Sequence, residues 1–306
     1  MRILMTGANG MLAYALAPVL QRDHQVTGLD IADCDIRDQD AVRSAFLAQR
    51  PELAVHLAAF TNVDGCELDC GAAMDCNAQG TRNVALACKE IGAAMLYMST
   101  DYVFDGQQDR AYSEEAPPNP INAYGRSKLA GEQHLQAILD RYFIVRTSWL
   151  FGPNGKNFVA TILELARTGR ELRVVDDQRG SPTYTRHLAS KLSQLVGTER
   201  YGIYHITGSG NCSWFEFAQA IVESSGLPDA RVVPISSDEC ARPARRPPYS
   251  VLENRRIKSE HLGLLPHWKE GLRSYLHELE QRDVSLDPRQ EKASPKWLGG
   301  VGASTI

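Results

Sequence analysis

No apolar run in the 306 residues approaches the roughly 20 needed to span a bilayer. The strand-like run that begins at Arg2 leaves no place for a secretory leader either. Positive charge is not in excess: 33 Lys and Arg face 37 Asp and Glu, a net charge of -4. That balance gives no reason to expect nucleic acid or an anionic membrane as a partner. Cysteine is sparse and odd in number, seven in all. Cys66, Cys70 and Cys76 lie close together, but their spacing fits no zinc pattern and no disulfide scaffold. The expectation is a reduced, cytoplasmic chain with no metal. Internal repeats are absent. What is present is an ordinary composition, 43% hydrophobic and 23% charged, on a chain long enough for one large α/β unit or two modest domains.

The first informative stretch is a strand, a glycine turn and a helix. Arg2–Thr6 is apolar, Gly7-Ala8-Asn9-Gly10-Met11-Leu12-Ala13 follows, and a helix is expected over Met11–Gln21. Backbone N–H groups at such a turn, backed by the helix dipole, form an anion site. Its G-x-x-G-x-x-A spacing is the variant of short-chain dehydrogenases, and it reads as a dinucleotide site built on Gly7, Asn9, Gly10, Met11 and Leu12. Asp30 ends the second strand, 23 residues after Gly7. A carboxylate there binds a ribose 2′-hydroxyl and repels a 2′-phosphate, which leans toward NADH. Asp35 and Ile36 would hold the adenine, one at its amine and one against its face. Leu53–Ala59 is a buried-strand run, and its small residues Ala58 and Ala59 let a cofactor approach the backbone. His56, inside that run, reads as a core histidine.

Tyr124 and Lys128 stand four residues apart in a helical pattern, on one face and about one turn apart. A cation at about 5 Å, in a medium of effective dielectric about 20, favours a phenolate by roughly 3 kcal/mol, or about two pKa units. The phenol would then exchange a proton near neutral pH. Thr100 adds a hydroxyl able to hydrogen-bond a carbonyl oxygen. Beside a hydride source, this is the chemistry of a reductase acting on C=O.

The rest of the chain alternates. A helix is expected from Asp38 to Gln49, and a long one from Cys70 to Ile91 with Asn77, Gly80 and Asn83 recurring on one face. Ala94–Met98 is a strand that delivers Ser99 and Thr100, and Tyr142–Trp149 is the fifth strand. The β-α alternation implies α/β class: a doubly wound parallel sheet of Rossmann type. Beyond Phe151 the elements are shorter: helix Asn157–Arg167, strand Leu172–Val175, helix Thr185–Leu195, strand Gly202–Thr207. Ser213 is placed to cap a helix, with Glu216 closing the box. The Arg242–Pro248 segment is stiffened by proline into a loop that carries three arginines. Fixed guanidinium groups suit a diphosphate. The expected division is a dinucleotide-binding domain over 1–150, rejoined by 184–207, and a smaller α/β substrate-binding domain over 151–183 and 208–280. A tail over 281–306 completes the chain.

These residues carry a recognisable pattern. The chain resembles dTDP-4-dehydrorhamnose reductases, extended short-chain dehydrogenase/reductases. The likeness rests on Gly7-Ala8-Asn9-Gly10, Ala58–Asp64, Ser99–Gly106, Tyr124–Glu132, Asp177–Thr183 and Ala244-Arg245-Arg246-Pro247. It implies an oxidoreductase that uses NADPH or NADH to reduce the 4-keto group of a nucleotide sugar in dTDP-rhamnose, hence polysaccharide, biosynthesis. Thr100, Tyr124 and Lys128 would be catalytic, with Lys128 lowering the tyrosine pKa and binding the nicotinamide ribose. Val63, Asp101, Tyr102 and Trp149 would line the sugar pocket. Asn157, Arg245 and Arg246 would address the diphosphate and nucleotide. Some family dimers are bridged by magnesium through glutamates; Ala15 stands at one such place here, so any homodimer would lack that bridge. Two other readings stay open: a non-catalytic regulatory subunit like the methionine adenosyltransferase beta subunit, and a reductase or epimerase of another nucleotide sugar.

Overall fold

The computed structural model describes residues 1–227 and 230–285. Its centre is a six-stranded sheet. The first three strands are β1 (Arg2–Thr6), β2 (Gln25–Leu29) and β3 (Leu53–His56). They alternate with α1 (Met11–Leu20) and α2 (Gln39–Gln49). Then come α3 (Val63–Leu68), α4 (Cys70–Met74), α5 (Gly80–Ile91), β4 (Ala94–Thr100), α6 (Ala123–Ile138) and β5 (Tyr142–Thr147). The second part holds β6 (Leu150–Phe151), α7 (Phe158–Ala166), β7 (Leu172–Val175), β8 (Arg179–Gly180), β9 (Thr183–Tyr184) and α8 (Thr185–Val196). It closes with β10 (Gly202–His205), β11 (Cys212–Ser213), α9 (Trp214–Ser224), β12 (Val232–Ile235), α10 (Arg255–Ser259) and α11 (Trp268–Ser285). Residues 286–306, most of the expected tail, lie outside the described residues.

The sheet order is β10-β5-β4-β3-β1-β2, with every pairing parallel. Alternation along each strand sorts side chains to two faces. Ile3, Met5, Val55 and Leu96 pack with α1 and α8; Leu4, Ala54, Met95 and Tyr97 pack with α2, α5 and α6. The doubly wound α/β sheet expected from the alternation is therefore present. Its strand order turns back between β1 and β3, and ligands bind at the carboxyl edge of such a reversal. A third cluster lies elsewhere: Phe151, Val159, Ile162, Phe217, Trp268 and Tyr275 join α7, α9 and α11. There β12 pairs with β7, and Ser213 and Glu216 form the anticipated capping box at α9.

One expected element is present with an irregularity. The helix from Cys70 to Ile91 runs unbroken, but between α4 and α5 it carries a π turn over Asp75–Gln79. Such bulges commonly mark functional positions. This one rotates Asn77 toward the interior. Its Oδ1 accepts from Phe60 N at 2.7 Å, and its Nδ2 donates to Phe60 O at 3.0 Å and to Ser127 Oγ at 2.9 Å.

Helix α6 is fixed from inside as well. Glu132 Oε1 and Oε2 accept from Arg146 Nε and Nη2 at 2.9 and 2.6 Å, and Ser99 Oγ donates to Oε1 at 2.5 Å. The pair is nearly inaccessible, 2% and 1% exposed at its side chains. Removing one partner of such a buried pair typically costs about 3–5 kcal/mol.

Candidate active site

Two cavities open at the carboxyl edge of the sheet. The larger, of 1040 Å³, runs from the glycine turn past the ends of β2, β3 and β4 to the first turns of α6. Gly7 adopts φ 70°, and a Cβ there would meet Ala58 N at 2.7 Å, so the turn lies directly on the β3 end. Gly7, Gly10, Met11, Leu12, Ala58 and Ala59 all line the cavity, as the dinucleotide reading requires. Asn9 enters differently, through its N–H, which donates to Asp30 Oδ2 at 2.8 Å. Ile31 N donates to Asp30 Oδ1 at 2.7 Å, so the carboxylate is locked in place at the cavity end.

Asp35 and Ile36 line the same end. Asp35 also holds Arg37 through two oxygens, the closer contact at 2.6 Å, and that bonding lowers its pKa. Ile36 packs over Gly80, where a Cβ would come within 2.7 Å of its Cδ1, and Asn83 Nδ2 donates to its carbonyl at 2.9 Å. The Asn77, Gly80 and Asn83 face thus carries the loops of the cleft.

Thr100, Tyr124 and Lys128 meet at the middle of the cavity, with Val63, Asp101, Tyr102 and Trp149 around them. Thr100 Oγ1 donates to Asp101 Oδ1 at 3.0 Å, and Ser250 Oγ donates to Asp101 Oδ2 at 2.5 Å. Burial pushes the Asp101 carboxyl up to about 7. The Tyr124 phenol moves up from its usual value, through burial first and the Asp101 charge second, with Thr100 opposing. Burial brings the Lys128 amine down to about 7. Desolvation therefore outweighs the acidifying lysine expected from the spacing, and in the free chain the phenol keeps its proton. Lys128 Nζ lies 4.1 Å from the Tyr97 ring centre and has no hydrogen-bond partner among the described residues. A buried donor in that state suits a ribose hydroxyl. Together with the open turn N–H groups and Asp30, it fits a nicotinamide dinucleotide.

His56 stays out of the cavity. Its Nδ1 meets Thr6 Oγ1 at 2.7 Å and its Nε2 meets Thr81 Oγ1 at 3.1 Å, and burial lowers its pKa to about 3.

The second cavity, of 700 Å³, is lined by Arg242, Arg245 and Arg246 and shares Tyr102 and Trp214 with the first. Arg246 is not a free cation. Its Nη1 and Nη2 donate to Asp64 Oδ1 and Oδ2 at 2.7 and 2.8 Å. Asn157 is in neither cavity. It caps α7 by accepting from Ala160 N at 3.0 Å, and its Nδ2 donates to Gly152 O and Gly155 O at 2.9 and 3.1 Å. Both ends of the Asn157 amide are thus occupied by the fold.

Sequence reasoning passed over Trp214, which stacks on Trp149 with ring centres 3.5 Å apart and planes 7° apart. It also passed over Glu67, whose Oε2 accepts from Ala123 N at 2.7 Å and so caps the helix that carries Tyr124. Neither contact has a local signal, since each joins distant segments.

The family profile described as RmlD substrate binding domain matches residues 1–281. The chain belongs to that family. Among its relatives is the spore coat polysaccharide biosynthesis protein SpsK of Bacillus subtilis, 44% identical over 279 residues, covering 90% of this chain and 97% of the relative. A dTDP-4-dehydrorhamnose reductase of Streptomyces griseus is 44% identical over 278 residues, covering 89% and 91%. Among solved structures, the Bacillus anthracis dTDP-4-dehydrorhamnose reductase in complex with NADP superposes with a TM-score of 0.88 at 40% identity, covering 90% of this chain and 99% of that one.

Proposed function

We propose that this chain reduces the 4-keto group of a nucleotide sugar with NADPH or NADH, converting dTDP-4-dehydro-L-rhamnose to dTDP-L-rhamnose. The observation that carries this is the meeting of two cavities at Tyr102 and Trp214, with Thr100 and Tyr124 in the first cavity and the Tyr124 ring 6.0 Å from that of Tyr102. One cavity has the features of a dinucleotide site and the other supplies arginines for a diphosphate. The arginine-lined unit around α7, α9 and α11 is the substrate-binding part.

A reduced nicotinamide would supply the hydride. Tyr124, held protonated by burial, donates its proton to the oxygen that was the ketone. Thr100, by turning its one hydroxyl proton away from Asp101 Oδ1, hydrogen-bonds that oxygen and helps to bear its developing charge. Lys128 donates to the cofactor ribose and steadies the phenolate that Tyr124 becomes. Met11 and Leu12, the first residues of α1 after Gly10, would present N–H groups to the pyrophosphate, and Asp30 would take a ribose hydroxyl. The sugar lies among Val63, Asp101, Tyr102 and Trp149, with Arg245 and Arg246 toward its diphosphate.

Among the described residues no helix is long and apolar enough to cross a membrane. A cytoplasmic site of action suits this chemistry. Ala15 is 1% exposed in the core beneath α1, so a homodimer would form without a magnesium bridge at that position.

The test supplies dTDP-4-keto-6-deoxy-L-mannose with NADPH and with NADH in turn, following loss of nicotinamide absorbance. Substrate-dependent oxidation with formation of dTDP-L-rhamnose is expected. Absence of oxidation with both dinucleotides would overturn the reading.

A further inference from the structure

The arginine loop, residues 242–248, is held on the dinucleotide side at two points. One is Asp64 at the start of α3, which takes both arms of Arg246 and, at 3.2 Å, the backbone N–H of Ala244. The other is Asn122. Its Oδ1 accepts from Gly125 N at 2.8 Å, which caps α6, and its Nδ2 donates to the Arg245 carbonyl at 2.8 Å. Asn122 is 0% exposed, so water does not substitute for either bond. Tyr124 lies between the capping residue and the capped amide. The turn has no slack on its other side: a Cβ on Gly125 would run into the Tyr102 carbonyl, and Tyr102 lines both cavities.

One amide therefore spans the two halves of the reaction site. An Ncap needs only an acceptor, and Ser, Asp and Asn serve about equally. The second bond, to a loop carbonyl 123 residues away, adds nothing to capping. It does link the backbone carrying Arg245 and Arg246 to the turn carrying Tyr124. Asp64 occupies Arg246 as a carboxylate, in the geometry a phosphate would take. When a diphosphate draws on that guanidinium, the loop backbone must adjust, and Asn122 is its hydrogen bond to the catalytic helix among the described residues.

We propose that Asn122 is a positioning residue that couples the filled nucleotide cavity to the placement of the Tyr124 hydroxyl. The inference rests on the proposed function and adds a route by which binding at the nucleotide end is converted into rate.

The test is a double-mutant cycle with the full chain, dTDP-4-keto-6-deoxy-L-mannose and NADPH. Asn122→Ser keeps a neutral cap but is too short to reach Arg245. Asn122→Asp keeps size and cap but offers no donor. Both should lower kcat by about tenfold to a hundredfold while KM for NADPH stays near that of the wild type, and both should lower the thermal midpoint, because the Arg245 carbonyl loses its donor; kcat is read well below that midpoint. Arg246→Ala should raise KM and lower kcat in the wild-type background, yet raise only KM when combined with Asn122→Ser. A loss confined to Asn122→Asp would mark charge near Tyr124, and would overturn the coupling. So would an unchanged kcat in both variants, or additive kcat losses in the double variant. Failure of the wild type to turn over the substrate would instead overturn the proposed function.

Discussion

At Tyr124 two physical effects compete, and burial wins. A lysine four residues on suggests an acidic phenol, because spacing reveals the cation but not the desolvation. Asp101, which pushes the phenol up further, comes from the end of another strand. Spacing thus put Thr100, Tyr124 and Lys128 forward as candidates, and the fold gathers them in one cavity, whereas their protonation states were not legible. Asn157 illustrates the same gap: a polar residue beside a helix start is as apt for a cap as for a ligand, and only its partners decide. The proton-donor role makes a direct prediction. Tyr124→Phe should cut kcat by about 10²–10⁴-fold, the usual worth of a positioned acid. Dinucleotide binding, read by fluorescence titration, should change little. A near-normal kcat would remove Tyr124 from the proton step.

At the scale of elements, α6 is held along its length. Asn122 and Glu67 fix its first turn, Asn77 holds Ser127, and Glu132 pairs with Arg146 beneath. Each restraint comes from a different segment, so the catalytic turn is positioned by tertiary contacts more than by helix propensity. The recurrence of Asn77, Gly80 and Asn83 showed one crowded face. The π turn that aims Asn77 was not visible, because an added residue per turn leaves no mark in composition. Asn77→Ala should therefore do more than remove a polar side chain. It leaves the Phe60 N–H without its partner and the Phe60 carbonyl with only the weak Cys66 Sγ donor at 3.4 Å, at a cost of about 1–3 kcal/mol. Urea unfolding should show that loss, and KM for the dinucleotide should rise because Phe60 lines the cavity. An unchanged midpoint would mean that the Phe60 loop holds itself.

For the whole molecule, the central sheet was readable because its inner strands are buried on both faces and its strands alternate with helices. The second part was less so: β6, β8, β9 and β11 are two residues each, too short for any periodicity. Stability with pH is also a property of the whole. His56 and His205 are fully buried and kept neutral down to about 3. Their folded values lie below the unfolded value of about 6.5, so unfolding takes up protons across that interval. Their contribution is complete above about 6.5 and is lost as the pH falls toward 3. Between about pH 7 and 4.5, His56→Asn should therefore lose roughly 2–3 kcal/mol less stability than the wild type, read from urea midpoints. Equal losses would show that His56 does not set the acid limb. The stacked pair of Trp149 and Trp214 has a consequence of another kind. Whatever passes between the two cavities moves along indoles in face-to-face contact, so the chain carries its own dye at the junction. Arrival of a ligand there can be followed in ultraviolet light with no label attached.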